Sequence, residues 1–255
     1  MLAQPFMGKR WVYGGQRAQR ETTSSKIPDN CDGILVTSAC LESRTVVKSV
    51  IQILQDYVSI FSPLREECAT LEDELAALAK SGSRLIAVPT GVRGFVFVGW
   101  MRGPGDPDAN DVVDCLRKAL AEGKAFYQLS RIYPVLATSG FRAAEIRRGV
   151  TKAVTSYLTT IEDVDSSAKS RCTEERPFLI NVSASVRHNG SCNSRDVERE
   201  ASDAALAAAQ TLGWHASVMP AASDAFLVIN VCRTIVYYTM RNDDCKASYT
   251  APVLQ

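Results

Sequence analysis

The sequence holds little of what common catalysts require. It contains two histidines, His188 and His215, in 255 residues. A hydrolase triad needs a histidine beside a nucleophile and an acid, and neither histidine stands in a nucleophile-elbow sequence. No GxxxxGK[ST] loop and no GxGxxG turn occurs, which removes the usual phosphate- and dinucleotide-binding signatures. Eight cysteines are present but none forms a CxxC pair. Structural zinc needs ligands clustered at tight spacing, and zinc deaminases need a His/Cys cluster with a nearby Glu. Cys115 and Cys232 instead stand beside apolar neighbours, as expected of reduced, core-filling thiols in an intracellular protein. No apolar run approaches the roughly 18 residues that suggest a membrane span. Residues 1–6 lack the long apolar core of a secretory signal. The expectation is a chain with no cofactor, no metal and no membrane partner.

Charge is nearly balanced overall, at +1, but unevenly placed. Residues 1–26 carry Lys9, Arg10, Arg17, Arg20 and Lys26 against Glu21 alone. A basic tail therefore precedes a slightly acidic body. The tail, residues 1–31, has no useful periodicity and reads as a solvated, disordered arm. Being Arg-rich and acid-poor, it also fits a mitochondrial presequence.

Two periodicities organise the rest. Gly33 to Ser38 is a β-branched strand, and Arg44 to Phe61 carries apolar residues at offsets of three and four, the mark of an amphipathic helix. A helical piece is expected at 68–80. Strands at 84–88 and 95–98 flank a turn containing Gly91 and Gly94. A helix follows, capped by Asp108 or Asn110 and ending by Gly123. Leu129 to Val135 closes the unit, with Pro134 suggesting an edge or an exit. The order β-α-β-β-α-β is that of the split βαβ, ferredoxin-like arrangement. A second unit then reads as a helix over 141–158, a loop over 162–176, a strand from Phe178 towards Arg187, a helix over 195–212 and strands over 225–231 and 234–239. The fold class expected is α+β. Its boundaries are 32–138 for the first domain, 139–243 for the second and 244–255 for a flexible C-terminal tail.

The stretch from Val186 to Val197 is crowded with polar donors where a strand meets a helix. Arg187 can hold a phosphate through two parallel bonds, and Asn189, Asn193 and Arg195 stand close by in the chain. The helix N-terminus adds oriented N–H groups that favour an anion. An ordinary capped polar loop explains the same composition. Arg148 and Lys152 lie one helical turn apart on the preceding helix, off its apolar stripe. Arg233 and Arg241, near the ends of the last strand pair, extend the basic set. Trp11 and Tyr13 in the tail are of a type that stacks on bases.

These residues bring together a family resemblance. The segments Gly33 to Thr37, Phe95 to Val98 followed by Val112 to Leu116, Arg131 to Val135, and Phe178 to Ile180 with Arg187, Asn189, Asn193 and Val197 resemble, in order and spacing, the eukaryotic THUMP-domain adaptors of tRNA cytidine acetylation. The closing pair, 226–231 and 233–240, is similar to the terminal THUMP strands. The chain departs from the pattern where Ser194 takes the slot of an arginine, with Arg195 one place later. It departs again at Asn230, where an acidic residue is more usual, and over residues 64–80. The resemblance implies an N-terminal ferredoxin-like domain packed against a C-terminal α/β THUMP domain. It implies binding of tRNA of the serine and leucine type, and a separate RNA cytidine acetyltransferase as partner that makes N4-acetylcytidine. Neither DNA nor a membrane is an expected partner. The implied compartment is nuclear, nucleolar or cytoplasmic, with mitochondrial the alternative. The RNA contacts implied are Arg187, Asn189, Asn193, Arg195, Arg148, Lys152 and Arg233. Because no catalytic domain is legible beside the two units, the chain is expected not to be an enzyme. The alternative within the same resemblance is a THUMP-type RNA-binding factor in ribosome assembly.

Overall fold

A computed structural model of the chain describes residues 11–12, 31–38, 43–58, 85–103, 106–121, 129–220 and 223–242. The expected helical piece at 68–80 and the C-terminal tail lie outside the described residues. The fold class is α+β.

The first unit contains β2 (Cys31–Ser38), α1 (Ser43–Tyr57), β3 (Leu85–Pro89), β4 (Phe95–Met101), α2 (Ala109–Ala121) and β5 (Leu129–Val135). Its strands lie in the order β3-β4-β2-β5, all antiparallel, as the split motif requires. Trp11–Val12, in the segment expected to be disordered, forms a two-residue strand β1 on the outer edge of β3. The β2 run is apolar at successive positions because both its faces are covered. Ile34 and Val36 meet Val50 and Leu54 of α1 and Leu116 of α2, while Leu35 faces the other way. Of the two candidate caps for α2, the cap is Asp108. Its carboxylate accepts the backbone N–H groups of Asn110 and Asp111 at 2.8 and 2.9 Å, and Asp111 reaches back to the Asp108 N–H at 3.1 Å, a capping box. Pro134 sits on the edge strand β5, where its missing N–H costs no ladder bond.

After Leu136 the chain crosses directly into a second sheet. The expected boundary at 138/139 falls inside β6 (Ala137–Gly140), a strand that sequence patterning does not indicate. The unit continues with α3 (Ala143–Val164), β7 (Phe178–Arg187), α4 (Ser194–Thr211), β8 (Ala216–Val218), β9 (Ala225–Cys232) and β10 (Ile235–Arg241). The order is β6-β10-β9-β7-β8, with β7 parallel to both β8 and β9. Helix α3 runs six residues past its expected end at 158. Glu162 near that end accepts the Trp214 indole N–H at 2.7 Å, and the buried Trp214 lies edge-on to Phe178 at 5.2 Å. Helix α4 stops where Gly213 takes φ +75°, the left-handed geometry in which a glycine commonly ends a helix.

The layers follow from strand alternation. In β9 and β10, Leu227, Ile229, Val231, Val236 and Tyr238 join the core shared with α3 and α4. Val228, Cys232 and Tyr237 point oppositely and pack with Leu35, Phe97, Tyr133 and Val135 of the first sheet. The order is helices, sheet, sheet, helices. Phe97 and Tyr237 anchor the inter-sheet layer with ring centroids 5.1 Å apart. The edge is tied by Arg241 to Asp114 of α2 at 2.7 Å. Arg241 is therefore a buried inter-unit contact and does not extend a positive surface, a correction to the sequence reading. All five described cysteines are free, with Cys31 and Cys232 buried in the inter-sheet layer. No helix among the described residues is long and apolar enough to cross a membrane.

This packing can be probed at two positions. Gly149 in α3 lies where a Cβ would overlap the Tyr238 ring. Gly149→Val is expected to cost about 2–3 kcal/mol through overpacking, read as a lower urea midpoint at unchanged slope. On the face of β2 that carries Ile34 and Val36, burial pushes the Asp32 carboxyl up to about 6, with Arg102 at 3.8 Å opposing. A raised carboxyl pKa means that the folded state holds its proton more tightly than the unfolded chain. Stability from this group is present below the ordinary carboxylate value and is lost as pH rises through about 6. Asp32→Asn should therefore raise stability at pH 7.5, by up to about 3 kcal/mol, and leave it unchanged near pH 4. Equal shifts at both pH values would refute this account.

Candidate nucleic-acid interface

Strand register gathers the basic residues at one end of the second sheet. Arg187 ends β7 opposite Cys232 at the end of β9. Gly140 ends β6 opposite Ile235 at the start of β10. Helix α3 begins shortly after β6, and α4 shortly after β7. Both helix N-termini therefore open at this end, with Asn193 and Asp196 at that of α4 and Glu145 in the first turn of α3. The carboxyl end of parallel strands is also the usual place for a ligand on an open α/β sheet.

The first unit supplies the opposite wall. Buried Thr90 shapes the β3–β4 turn by accepting the Val92 N–H at 3.1 Å and donating to the Phe95 carbonyl at 2.9 Å. Gly91 in that turn has φ +70°, and a Cβ there would lie 2.8 Å from the Arg233 side chain. Arg233 thus lies flat against the turn, and Arg93 beside it is exposed. Thr37, Phe95 and Arg131 stand side by side across β4, β2 and β5. The Arg187 guanidinium covers the Phe95 ring at 4.7 Å, a cation–π contact. Between the sheets opens a cleft of about 530 Å³ lined by Thr37, Phe95, Arg131, Ser183, Ser185 and Asn230, among others.

The seven expected contacts separate into three groups. Arg187, Arg195 and Arg233 are exposed at this end, and among the described residues none of them, nor Arg93, forms an ion pair. Asn189 and Asn193 serve the backbone. The Asn189 amide donates to the Arg233 carbonyl at 2.7 Å and its oxygen accepts the Ser191 N–H at 2.9 Å. This braces two left-handed non-glycine residues, His188 (φ 55°) and Arg233 (φ 57°), joined by the Arg233 N–H on the Arg187 carbonyl. Asn193 is the N-cap of α4, accepting the Asp196 N–H at 2.9 Å and donating to the Asp196 carboxylate at 2.7 Å. Arg148 and Lys152 lie on α3. Arg148 is exposed and near the Tyr238 hydroxyl, whose pKa burial raises and Arg148 counters. Lys152 is not brought to the cluster: it stands about 13 Å along the helix from its start and acts electrostatically on Asp32 at the far end.

Acidic groups take some of the remaining charge. Glu200 pairs with Arg147, and Asp196 pairs with Arg199 at 3.3 Å. Glu198 lines the cleft but accepts the Ala184 N–H at 2.9 Å, satisfying an edge of β7 that short β8 leaves uncovered. Sequence reasoning missed Arg93 and Arg131. Their signal was the first unit's register, which only the packing of the two sheets makes relevant.

No family model matches this chain and no curated protein matches it. Among solved structures, it is similar to PH1313 from Pyrococcus horikoshii Ot3, at 11% identity and TM-score 0.45, over 82% of this chain and 54% of that one. It is similar to a 4-thiouridine synthetase solved as an RNA complex with bound ATP, at 10% identity and TM-score 0.45, over 82% and 41%. A predicted N6-adenine-specific DNA methylase from Listeria monocytogenes str. 4b F2365 follows, at 10% identity and TM-score 0.40, over 82% and 40%. The chain spans about half or less of the length of these proteins. At such identities and TM-scores the likeness carries no argument about activity or ligand. It does correct one expectation. The sequence reading makes the chain a non-enzyme, yet the matched structures include chains named as a synthetase and a methylase. The lack of a legible catalytic motif here does not separate this protein from enzymes.

The distinction between brace and contact is measurable. Asn193→Ala should lower stability by about 1 kcal/mol through removal of the cap. Arg195→Ala should leave stability within about 0.5 kcal/mol of the parent. Equal decreases in thermal unfolding would show that Arg195 is structural.

Proposed function

We propose that this chain binds structured RNA at the arginine-lined end of its second sheet, and that it presents tRNA to an RNA cytidine acetyltransferase carried on a separate chain. The observation that carries the RNA reading is the convergence of Arg187, Arg195 and Arg233 with Arg93 from the other unit, all exposed and without ion pairs among the described residues. Two helix N-termini open beside them. Such a surface suits a phosphate backbone, whose binding is driven by counterion release and positioned by guanidinium and N–H contacts. The body of the protein is not globally basic, so attraction is local and oriented. The choice of tRNA and of the acetyltransferase rests on the sequence segments that resemble the THUMP adaptors.

Equilibrium binding of tRNA at several salt concentrations tests this reading. Arg187→Ala and Arg233→Ala should each weaken binding, with the circular dichroism spectrum unchanged. Each should also flatten the plot of log affinity against log salt, by about 0.7–0.9 for every phosphate that is no longer neutralised. Unchanged affinity in both variants would refute the RNA surface. Co-purification with an acetyltransferase tests the partner, and its failure beside intact tRNA binding would remove the partner alone.

A further inference from the structure

We infer that the basic N-terminal segment is a second RNA contact, pinned by β1 to the edge of β3 so that Lys9 and Arg10 enter beside the arginine surface. The inference rests on the RNA-binding reading above and extends it to a part of the chain which that reading leaves unused.

Charge in the segment is concentrated. Residues 1–26 hold Lys9, Arg10, Arg17, Arg20 and Lys26 against Glu21, while the whole chain sums to +1. Taken alone, such a stretch is a solvated arm. Strand pairing gives it a position. Trp11 stands opposite Ala87 and Val12 opposite Ile86. The outer edge of β3 would otherwise present unpaired N–H and C=O groups, so the sheet itself supplies the docking site.

The direction of β1 is the informative feature. It runs antiparallel to β3. Strand β3 ends at Pro89, and the turn that follows carries exposed Arg93 and the Gly91 against which Arg233 lies. The chain ahead of Trp11 therefore leads along β3 towards that turn. Two residues of extended chain cover about 7 Å, the same advance as from Ala87 to Pro89. Lys9 and Arg10 are the two residues directly ahead of Trp11, and their long side chains extend the reach. They add two cations at the rim of the surface formed by Arg93, Arg187 and Arg233.

The other cations of the segment are led elsewhere. Beyond Val12 the chain heads towards Leu85, which stands opposite Trp100 on β4. It reaches β2 at Cys31, opposite Met101. Arg17, Arg20 and Lys26 thus belong to a connection that starts and finishes at the end away from the arginines. One strand pairing divides the basic residues into a pair aimed at the RNA surface and a group that is not. The ligand class for the pair is phosphodiester backbone flanking the stretch held by the arginines. Contacts of this kind position a nucleic acid without reading its bases.

Titration of tRNA into the full chain at several salt concentrations tests this with three double variants. Lys9→Ala with Arg10→Ala should weaken binding and flatten the plot of log affinity against log salt by about 1.4–1.8, two phosphates at roughly 0.7–0.9 each. Arg17→Ala with Arg20→Ala removes the same charge from the same segment and should bind as the parent does. Trp11→Pro with Val12→Pro keeps every charge but removes the N–H donors of β1, and should bind as weakly as the Lys9 and Arg10 variant. Equal losses from the two alanine pairs overturn the inference, because the segment then acts as diffuse charge. Parent-like binding by the Lys9 and Arg10 variant overturns it as well, and so does parent-like or tighter binding by a folded proline variant. Where the proline variant does not fold, the two alanine pairs decide. Each of these failures leaves the RNA reading standing so long as Arg187→Ala still weakens binding. If the parent does not bind tRNA, both fall together.

Discussion

Apolar packing between two sheets fixes everything else in this molecule. Leu35, Phe97, Tyr133 and Val135 from one sheet meet Val228, Cys232 and Tyr237 from the other. Full burial of such side chains contributes roughly 1.5–3 kcal/mol each, enough to hold the two units in one register. Neither sheet could expose that face without showing water a large apolar patch. Because the register is held, Arg187 of the second unit covers Phe95 of the first, and Arg233 lies against Gly91. The basic surface thus belongs to the pair of units and not to either alone.

The polar groups differ between the two ends of the molecule. At one end, Asp32 is buried near Arg102, and Arg241 is committed to Asp114. At the other, arginines stand exposed without ion pairs among the described residues, and backbone amides of two helices open beside them. Asn189 and Asn193 show how the second end is built: amide side chains hold the turns and the cap, which frees the neighbouring arginines to point outward. The left-handed backbone at His188 and Arg233 belongs to the same construction, since such conformations persist where the surroundings enforce them.

Much of the framework was legible in the sequence because its signals are local. The β-branched run at Gly33 to Ser38, the apolar stripe of α1 and the Asp108 and Asn193 caps each depend on neighbours a few residues away. The element order then gave the ferredoxin-like arrangement of the first unit. What was not legible is long-range. Short β6 and β8 carry no pattern of their own and exist through pairing with β10 and β7. Arg241 looks like a surface cation in sequence, and only tertiary packing turns it towards Asp114. Arg93 and Arg131 were missed for the converse reason: a β-turn and an edge strand of another unit are brought to the site by the sheet interface. Asparagine at 189 and 193 fits an RNA contact and a structural brace equally well by composition, and the hydrogen bonds show the brace.

Arginines from both units form one surface, which we propose receives an RNA backbone. Amide hydrogen exchange of the full chain with and without tRNA tests it most directly. Slowed exchange is expected in three separate segments at once: the 90–94 turn, residues 187–195, and the 232–235 hairpin. Slowing confined to one unit, or centred on the opposite end around Asp32 and Arg241, would contradict it.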